Sequence, residues 1–398
     1  MGGGLMQLVA YGAQDIYLSG NPQITFFKVV YRRHTNFSME SISQTFNGTV
    51  GFGRKVTATI SRNGDLINRM YLEMQLPTLT GTSEYQAYVG HKLIKSVEVE
   101  IGGQRIDKHY GDWLEIWNEL SQTKGHWTGY KNMVEGGYFG ANNGIVYPNM
   151  TDDGDEGAGR TVYIPLQFWF CRNPGLALPL IALQYHEVKV NVEFANLSDV
   201  ATENQIEPLV EGGDPTFEPP VATGTLSGDL YVDYVYLDTD ERRRFAQVSH
   251  EYLIEQLQFT GDESATQNIK MNFNHPVKEI VWVEMGATGK VGDYTSTYSE
   301  AQITLNSHER MSMRKPMYYQ LVQPYQHHER VPTAKPINVY SFALKPEEHQ
   351  PSGTCNMSRI DTATLKLQNV AAGTVKVFAT NYNVLRIMSG MGGLAYSN

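Results

Sequence analysis

Apolar and polar residues alternate with a period of two in many short segments of the chain. Clear examples are residues 97–101, 188–194 and 375–378. A strand with one buried face requires this alternation, because successive side chains point to opposite faces of a sheet. Gly102 and Gly103 follow the first of these segments and supply the positive backbone angles that a tight hairpin needs. The pattern predicts a protein built mainly from β-strands.

One helix is predicted within this strand pattern. Asp112 stands at its start and Glu115 follows three residues later, which is the spacing of a capping box. Four apolar residues then share one helical face, namely Trp113, Ile116, Trp117 and Leu120. We expect that face to pack against a core.

The N-terminal segment is rich in aromatic residues and poor in charge. Asp15 is the only charged side chain before Lys28. Solvated tails rarely carry so many aromatic residues, so we predict an arm over residues 1–23 that docks on a neighbour. The apolar run over residues 24–31 is predicted to enter the first domain as a strand.

Residues 201–228 break the alternation with four prolines and five acidic side chains. Such a composition buries too little apolar surface to fold on its own. We therefore predict a linker over residues 206–226, between a first domain at 24–205 and a second domain at 227–398.

The two halves resemble each other weakly in sequence. Three short matches occur in the same order in both halves: residues 65–74 with 276–285, 98–105 with 302–309, and 164–174 with 337–346. Ordered matches of this kind indicate a duplicated unit. Many short strands with few helices favour a sandwich, and a jelly roll limits exposed sheet edges. The predicted fold is all-β, with two tandem eight-stranded jelly-roll sandwiches and a few short helices.

Charge and cysteine content narrow the function classes. The 398 residues include 32 basic and 42 acidic side chains, a net charge of −10. That balance does not favour a direct nucleic-acid partner. Cys171 and Cys355 lie far apart, so we expect a reducing compartment and no disulfide framework. We see neither a secretory signal nor an apolar run long enough to cross a bilayer.

No motif for catalysis, a cofactor or a metal is recognised. Four His-Glu pairs occur, but none has the second histidine that a zinc helix needs. The densest titratable cluster, residues 327–330, is interpreted as a solvated loop between prolines. Residues 242–244 are three arginines preceded by three acids, which favours a salt-bridged turn over a phosphate site. A carboxylate pair of the glycosidase type remains open as an alternative.

Five Asn-x-Ser/Thr sequons are candidate glycosylation sites. They begin at Asn36, Asn47, Asn149, Asn196 and Asn356.

Four longer segments resemble one protein family. They are GGLMQLVAYGAQDIYLSGNPQITFFKVVYRRHTNF from Gly3, GFGRKVTATISRNGDLI from Gly51, DTDERRRFAQVSHEYLIEQLQFTG from Asp238, and YSFALKPEEHQPSGTCNMSRID from Tyr340. They are similar to segments of the major capsid proteins of nucleocytoplasmic large DNA viruses, of the algal and chlorella virus type. The segments span both halves, so the resemblance covers nearly the whole chain.

The resemblance implies a double jelly roll whose two domains stand side by side. It further implies a homotrimeric capsomer of pseudo-sixfold outline, and many capsomers tiling an icosahedral shell over an internal membrane. The implied partners are neighbouring capsomers together with minor capsid and penton proteins, in a virion assembled in the host cytoplasm. The arm would lie on the membrane-facing side. Two alternatives stay open: a minor or vertex-associated virion protein of the same fold, and a carbohydrate-binding or carbohydrate-processing sandwich.

Overall fold

The structure is a computed structural model that describes residues 3–10, 12–80, 83–139, 145–146, 160–206 and 216–396. The chain divides into two compact units, Met1–Asn36 and Phe37–Asn398. The larger unit contains both sandwiches, and the fold predicted from the sequence is confirmed.

The first sandwich contains eight main strands. These are β1 (Phe37–Gln44), β2 (Lys55–Thr59), β3 (Leu66–Gln75), β4 (Ile94–Ile101), β5 (Gln104–Tyr110), β6 (Thr161–Pro165), β7 (Val188–Phe194) and β8 (Ser227–Leu237). One sheet has the order β1-β8-β3-β6 and the other the order β2-β7-β4-β5, all antiparallel.

The second sandwich repeats this arrangement. Its strands are β9 (His250–Ser264), β10 (Asn268–Met271), β11 (Pro276–Met285), β12 (Glu300–Leu305), β13 (His308–Glu309), β14 (Asn338–Ser341), β15 (Ala363–Gln368) and β16 (Thr374–Met388). One sheet is β9-β16-β11 with β14 paired to β11, and the other is β10-β15-β12-β13. Each strand of the second sandwich therefore has the same position in its sheet as the first-sandwich strand whose number is lower by eight, so that β9 corresponds to β1 and β16 to β8.

The three internal sequence matches fall on equivalent strands: β3 with β11, β4 and β5 with β12 and β13, and β6 with β14. The first sequence match pairs the right strands but not the structurally equivalent residues, because its alignment is shifted by an odd number of positions. Leu72 and Met74 point into the first core, whereas their matches Val283 and Met285 lie on the opposite face of β11, towards a helix. An odd shift moves every side chain to the other face of a strand.

Among the residues that the structure describes, three helices exceed eight residues, namely α1 (Gly111–Ser121), α2 (Lys124–Glu135) and α3 (Thr239–Gln247). Shorter helical turns are Gly3–Val9, Ala13–Asp15, Ile16–Ser19, Val89–Leu93, Trp169–Arg172, Pro174–Leu176, Leu197–Val200, Tyr318–Val322, Gln323–His327 and Met357–Arg359. Among the described residues, none of the helices is both long and apolar enough to cross a membrane.

Short strands complete the sheets and loops. They are Phe46–Asn47, Thr78–Leu79, Tyr138–Phe139, Ile145–Val146, Leu178–Pro179, Asn204–Ile206, Thr216–Glu218, Ala222–Thr223, Tyr294–Thr295, Cys355–Asn356 and Met391–Leu394. The predicted hairpin at Gly102 and Gly103 is confirmed, with φ of 58° and 86°.

The predicted linker and domain boundary need correction. Asn204–Ile206 pairs with Thr216–Glu218, and Ala222–Thr223 pairs with Thr78–Leu79. The described residues on both sides of 207–215 are thus paired within the first half of the chain; residues 207–215 lie outside the described residues. Strand β8, expected to open the second domain, pairs with β1 and β3 of the first. The connection between the sandwiches is α3, which also replaces the turn predicted at residues 242–244.

The predicted strand over residues 24–31 is also wrong. Residues 24–36 form turns and coil, and the first strand begins at Phe37. An apolar run favours a strand, but a strand also needs a neighbour for its backbone hydrogen bonds. Residues 24–36 belong to none of the strand pairs that the structure describes.

Candidate assembly site between the two sandwiches

Helix α1 connects β5 to the loops before β6 and packs against the second sandwich. The predicted face formed by Trp113, Ile116, Trp117 and Leu120 is confirmed, because it shares one buried cluster with residues of β11, β14 and β16. The Trp113 ring lies 5.7 Å from that of Phe378 on β16. On the other side, Leu114 belongs to the core of the first sandwich. Helix α1 therefore joins the two cores.

The start of α1 differs from the predicted capping box. The N-cap residue is Tyr110, and its side chain does not cap the helix. Gly111 follows because a Cβ there would lie 2.4 Å from the carbonyl oxygen of His91 and 2.5 Å from that of Ile94. The acids Asp112 and Glu115 are buried and form ion pairs with lysines of the second sandwich.

Three acids of α1 pair with three bases of the second sandwich. Asp112 Oδ2 lies 2.7 Å from Lys376 Nζ, and Glu119 Oε2 lies 2.9 Å from Arg330 Nη2. Between them, Glu115 pairs with Lys335. The acids are spaced i, i+3 and i+7, so they lie along one side of the helix. This row fixes the position of α1 on its partner by directed contacts in addition to apolar packing.

Glu115 is the centre of this row. It is fully buried and also bonds to the Nδ1 atom of His91, whose Nε2 atom lies 2.8 Å from the Tyr130 hydroxyl. Burial alone raises the pKa of Glu115, but His91 and Lys335 outweigh burial and lower that pKa to about 2. The carboxylate is therefore ionised at neutral pH, where it neutralises Lys335 of the second sandwich and bonds to His91 of the first.

A second ionic group crosses the junction beside α1. Glu255 on β9 lies 2.9 Å from Arg172 of the first sandwich and 2.9 Å from the buried Lys278. Burial favours the protonated form of Glu255, yet Arg172, His349 and Lys278 together lower its pKa to about 2. The Arg172 guanidinium also lies 4.7 Å from the Trp117 ring. Both sandwiches thus depend on each other for neutralising buried charge.

His328 corrects the prediction of a solvated loop over residues 327–330. Its side chain is buried, with Nε2 3.0 Å from Glu279 and Nδ1 2.8 Å from Glu347. Burial lowers the pKa of His328, but the two carboxylates outweigh it and raise that pKa to about 9. The imidazolium is a structural cation inside the second sandwich.

A cavity of about 180 Å³ opens at the junction, and two carboxylates line it, Glu255 and Glu347. Both are paired with cations, Glu255 with Arg172 and Lys278, and Glu347 with His328. The general acid of a glycosidase has a raised pKa, whereas the pKa of Glu255 is lowered. Glu255 therefore does not match the general acid of a glycosidase.

Four of the five sequon asparagines are among the described residues, and all four are exposed: Asn36, Asn47, Asn196 and Asn356. Asn149 lies outside the described residues. Asn356 Oδ1 accepts a hydrogen bond from the Ser358 amide, 3.1 Å away. The sites remain predictions.

The Met1–Asn36 unit exposes most of its large apolar side chains. Helix Gly3–Val9 exposes Leu5, Met6, Leu8 and Val9, and the segment after it exposes Phe26, Phe27 and Tyr31. Within this unit, Asp15 accepts a hydrogen bond from the Gly12 amide, 2.7 Å away.

The comparisons with known proteins agree with this architecture. Residues 25–238 match the family described as major capsid protein N-terminus, and residues 241–393 match the large eukaryotic DNA virus major capsid protein. The two matches meet at the start of α3. The chain is 64% identical to the major capsid protein of Pyramimonas orientalis virus and 45% identical to that of Paramecium bursaria Chlorella virus 1, with 100% of each chain covered.

Solved structures show the same fold. A quasi-atomic structure of the PBCV-1 virus capsid matches with a TM-score of 0.79 and 41% identity, covering 94% of this chain and 100% of the other. The Faustovirus major capsid protein matches with a TM-score of 0.72 over 95% of this chain and 94% of the other, at 13% identity. The duplicated jelly roll, the matched families and the full-length relatives place this chain among the major capsid proteins of large eukaryotic DNA viruses.

Proposed function

We propose that three copies of this chain associate into one capsomer that presents six jelly rolls, and that such capsomers tile an icosahedral shell. The observation that carries the proposal is the duplication itself, since both sandwiches have the same strand order. Three copies of a chain with two similar sandwiches give a ring of six similar domains, and this pseudo-sixfold outline fits a hexagonal lattice. The chain would act by association, without catalysis.

The junction at α1 supports this proposal. It holds the two sandwiches together by a buried apolar cluster and by a row of three ion pairs. A shell unit must transmit load without hinge motion between its domains. A junction that neutralises the buried charges of both sandwiches resists separation, because opening it exposes unpaired ions and apolar surface.

The purified chain is expected to be a trimer in solution. Light scattering coupled to size-exclusion chromatography should give three times the mass of 44.7 kDa. A mass of one chain over a wide concentration range would contradict the proposed capsomer.

The arm is proposed to face the internal membrane and to contact neighbouring capsomers, minor capsid proteins and penton proteins. Its exposed apolar side chains are of the kind that interaction sites bury against a partner. Assembly would take place in the host cytoplasm, and any glycans would be carried by the exposed sequon asparagines.

Deleting residues 1–20 should leave folding and the trimer intact but reduce shell assembly. The Met1–Asn36 unit is separate from the unit that holds both sandwiches, so its loss removes none of their strands. Circular dichroism and light scattering measure the first two properties, and electron microscopy of particles formed in an expressing cell measures the third. A truncated chain that fails to fold would show that the arm belongs to the core.

A further inference from the structure

The sheet face covered by α1 has an uncovered counterpart in the first sandwich. On the covered face, Phe378 of β16 stands opposite Val281 of β11, and Val281 opposite Val339 of β14. The equivalent strands are β8, β3 and β6. There, Tyr231 stands opposite Tyr71, and their rings stack at 5.2 Å. Tyr163 of β6 lies 6.2 Å from Tyr71 and is exposed.

Two carboxylates beside these rings have a charge arrangement that is unfavourable in the single chain. Asp229 of β8 stands directly opposite Glu73 of β3. Like charges opposite each other destabilise a sheet. In the part of the chain that the structure describes, neither forms an ion pair. We call Tyr71, Glu73, Tyr163, Asp229 and Tyr231 the tyrosine face. Its apolar rings and adjacent negative charge fit a partner that is apolar and basic.

The second sandwich carries a segment of that character at the position equivalent to α1. Helix α1 lies between the fifth and sixth strands of the first sandwich. Between the fifth and sixth strands of the second, β13 and β14, the helical turns Tyr318–Val322 and Gln323–His327 follow each other directly. We call residues 314–327 the second wedge, because they are the counterpart in the second sandwich of α1, the first such segment.

The second wedge presents an apolar row and two cations to solvent. Met317, Leu321 and Tyr325 recur at i, i+4 and i+8, so they share one side of a helix, and they are 65%, 38% and 79% exposed. Arg314 and Lys315 precede them and are also exposed. Their charge is opposite to that of Glu73 and Asp229.

We propose that the second wedge of one copy packs on the tyrosine face of the next copy, as α1 packs on the second sandwich within one chain. The occupant is a second copy of this chain, since the segment and the face are counterparts of a junction already formed inside it. The contact is head to tail, with different surfaces on the two copies. The inference rests on the proposed capsomer, in which this contact would occur three times.

Single substitutions on each surface test the contact. Tyr325→Asp removes the most exposed apolar anchor of the second wedge, and Tyr163→Asp adds a charge to the tyrosine face. Each is expected to weaken the trimer at least tenfold in sedimentation equilibrium, because buried aromatic anchors dominate interfaces. Tyr185→Asp is the matched control, since Tyr185 is 76% exposed and outside both surfaces. It should leave the trimer unchanged.

A mixture of the two variants gives a result that a general folding defect would not. The Tyr163→Asp chain keeps its second wedge and the Tyr325→Asp chain keeps its tyrosine face. One intact contact therefore forms between unlike chains, and native mass spectrometry should detect a mixed dimer without a closed trimer. Circular dichroism confirms that each variant is folded.

Cross-linking tests the contact without weakening it. Chains with Tyr163→Cys and chains with Tyr325→Cys, mixed and treated with a short bis-maleimide, should give a cross-linked pair that neither chain gives alone. Wild type, with its native Cys171 and Cys355, is the background control. A wild-type trimer that both aspartate substitutions leave intact would overturn this contact alone. A monomeric wild type would overturn the proposed capsomer and the contact with it.

Discussion

Replacing Glu115 with alanine is expected to destabilise the folded chain by about 3–5 kcal/mol, the range found when one partner of a buried ion pair is removed. Glu115 bonds to His91 of the first sandwich and to Lys335 of the second. Without it, His91 Nδ1 and Lys335 Nζ lose the acceptor that they share at the junction. The free energy of unfolding in urea, measured at one protein concentration for all variants, gives the effect.

Glu193→Ala is the matched control for this substitution. Glu193 also pairs with a lysine, Lys95, at 2.7 Å, but the two side chains are 30% and 66% exposed. Exposed pairs contribute about 0–1 kcal/mol, so the control should change little. Equal losses for the two variants would show that the α1 junction does not depend on its buried carboxylate.

The contribution of Glu115 to the free energy of unfolding should also persist below neutral pH. Its pKa is lowered, to about 2, so the contribution is complete above the ordinary glutamate pKa and is lost as the pH falls through about 2. The difference in the free energy of unfolding between wild type and Glu115→Ala should therefore shrink as the pH falls from about 4.5 towards about 2.

The strands and their duplication could be predicted because they depend on local alternation. Both partners of the match between β3 and β11 are central strands of their sheets. Their register could not be predicted, because both faces of β11 are buried. Ile280 and Trp282 face the second core, whereas Val281 and Val283 face α1. A strand that is apolar on both faces lacks the alternation that would fix its register.

Only the apolar contacts of the α1 junction could be predicted from the sequence, and its ion pairs could not. The apolar side of α1 follows from helical periodicity, but its acids look like ordinary capping residues. Their partners Lys335 and Lys376 are more than 200 positions away, so no local pattern connects them. The row of acids at i, i+3 and i+7 on a helix with an apolar face was the one available signal. The boundary at α3 was missed for a related reason, since composition does not reveal which sheet the next strand joins.

The stability of the chain is expected to fall as the pH rises from about 6.5 to about 9, because His328 then loses its proton. The pKa of His328 is raised to about 9 from an ordinary value of 6.5. A raised pKa stabilises the fold fully below the unfolded value, and the contribution disappears as the pH passes the folded value. The difference corresponds to about 3 kcal/mol. Above pH 9 the neutral ring would face two carboxylates, the buried Glu279 and the partly exposed Glu347, with one N–H.

Urea unfolding at pH 6 and pH 9.5 measures this loss. The His328→Gln variant should be less stable than wild type at pH 6. The difference in the free energy of unfolding should be smaller at pH 9.5, because wild type has then lost the proton of His328 and the variant has no proton to lose at that position. His308→Gln is the control, since His308 is exposed on β13 and should leave the wild-type pH dependence unchanged. A stability difference between His328→Gln and wild type that is the same at pH 6 and pH 9.5 would contradict the prediction, because it would mean that the contribution of His328 does not depend on losing a proton in this range.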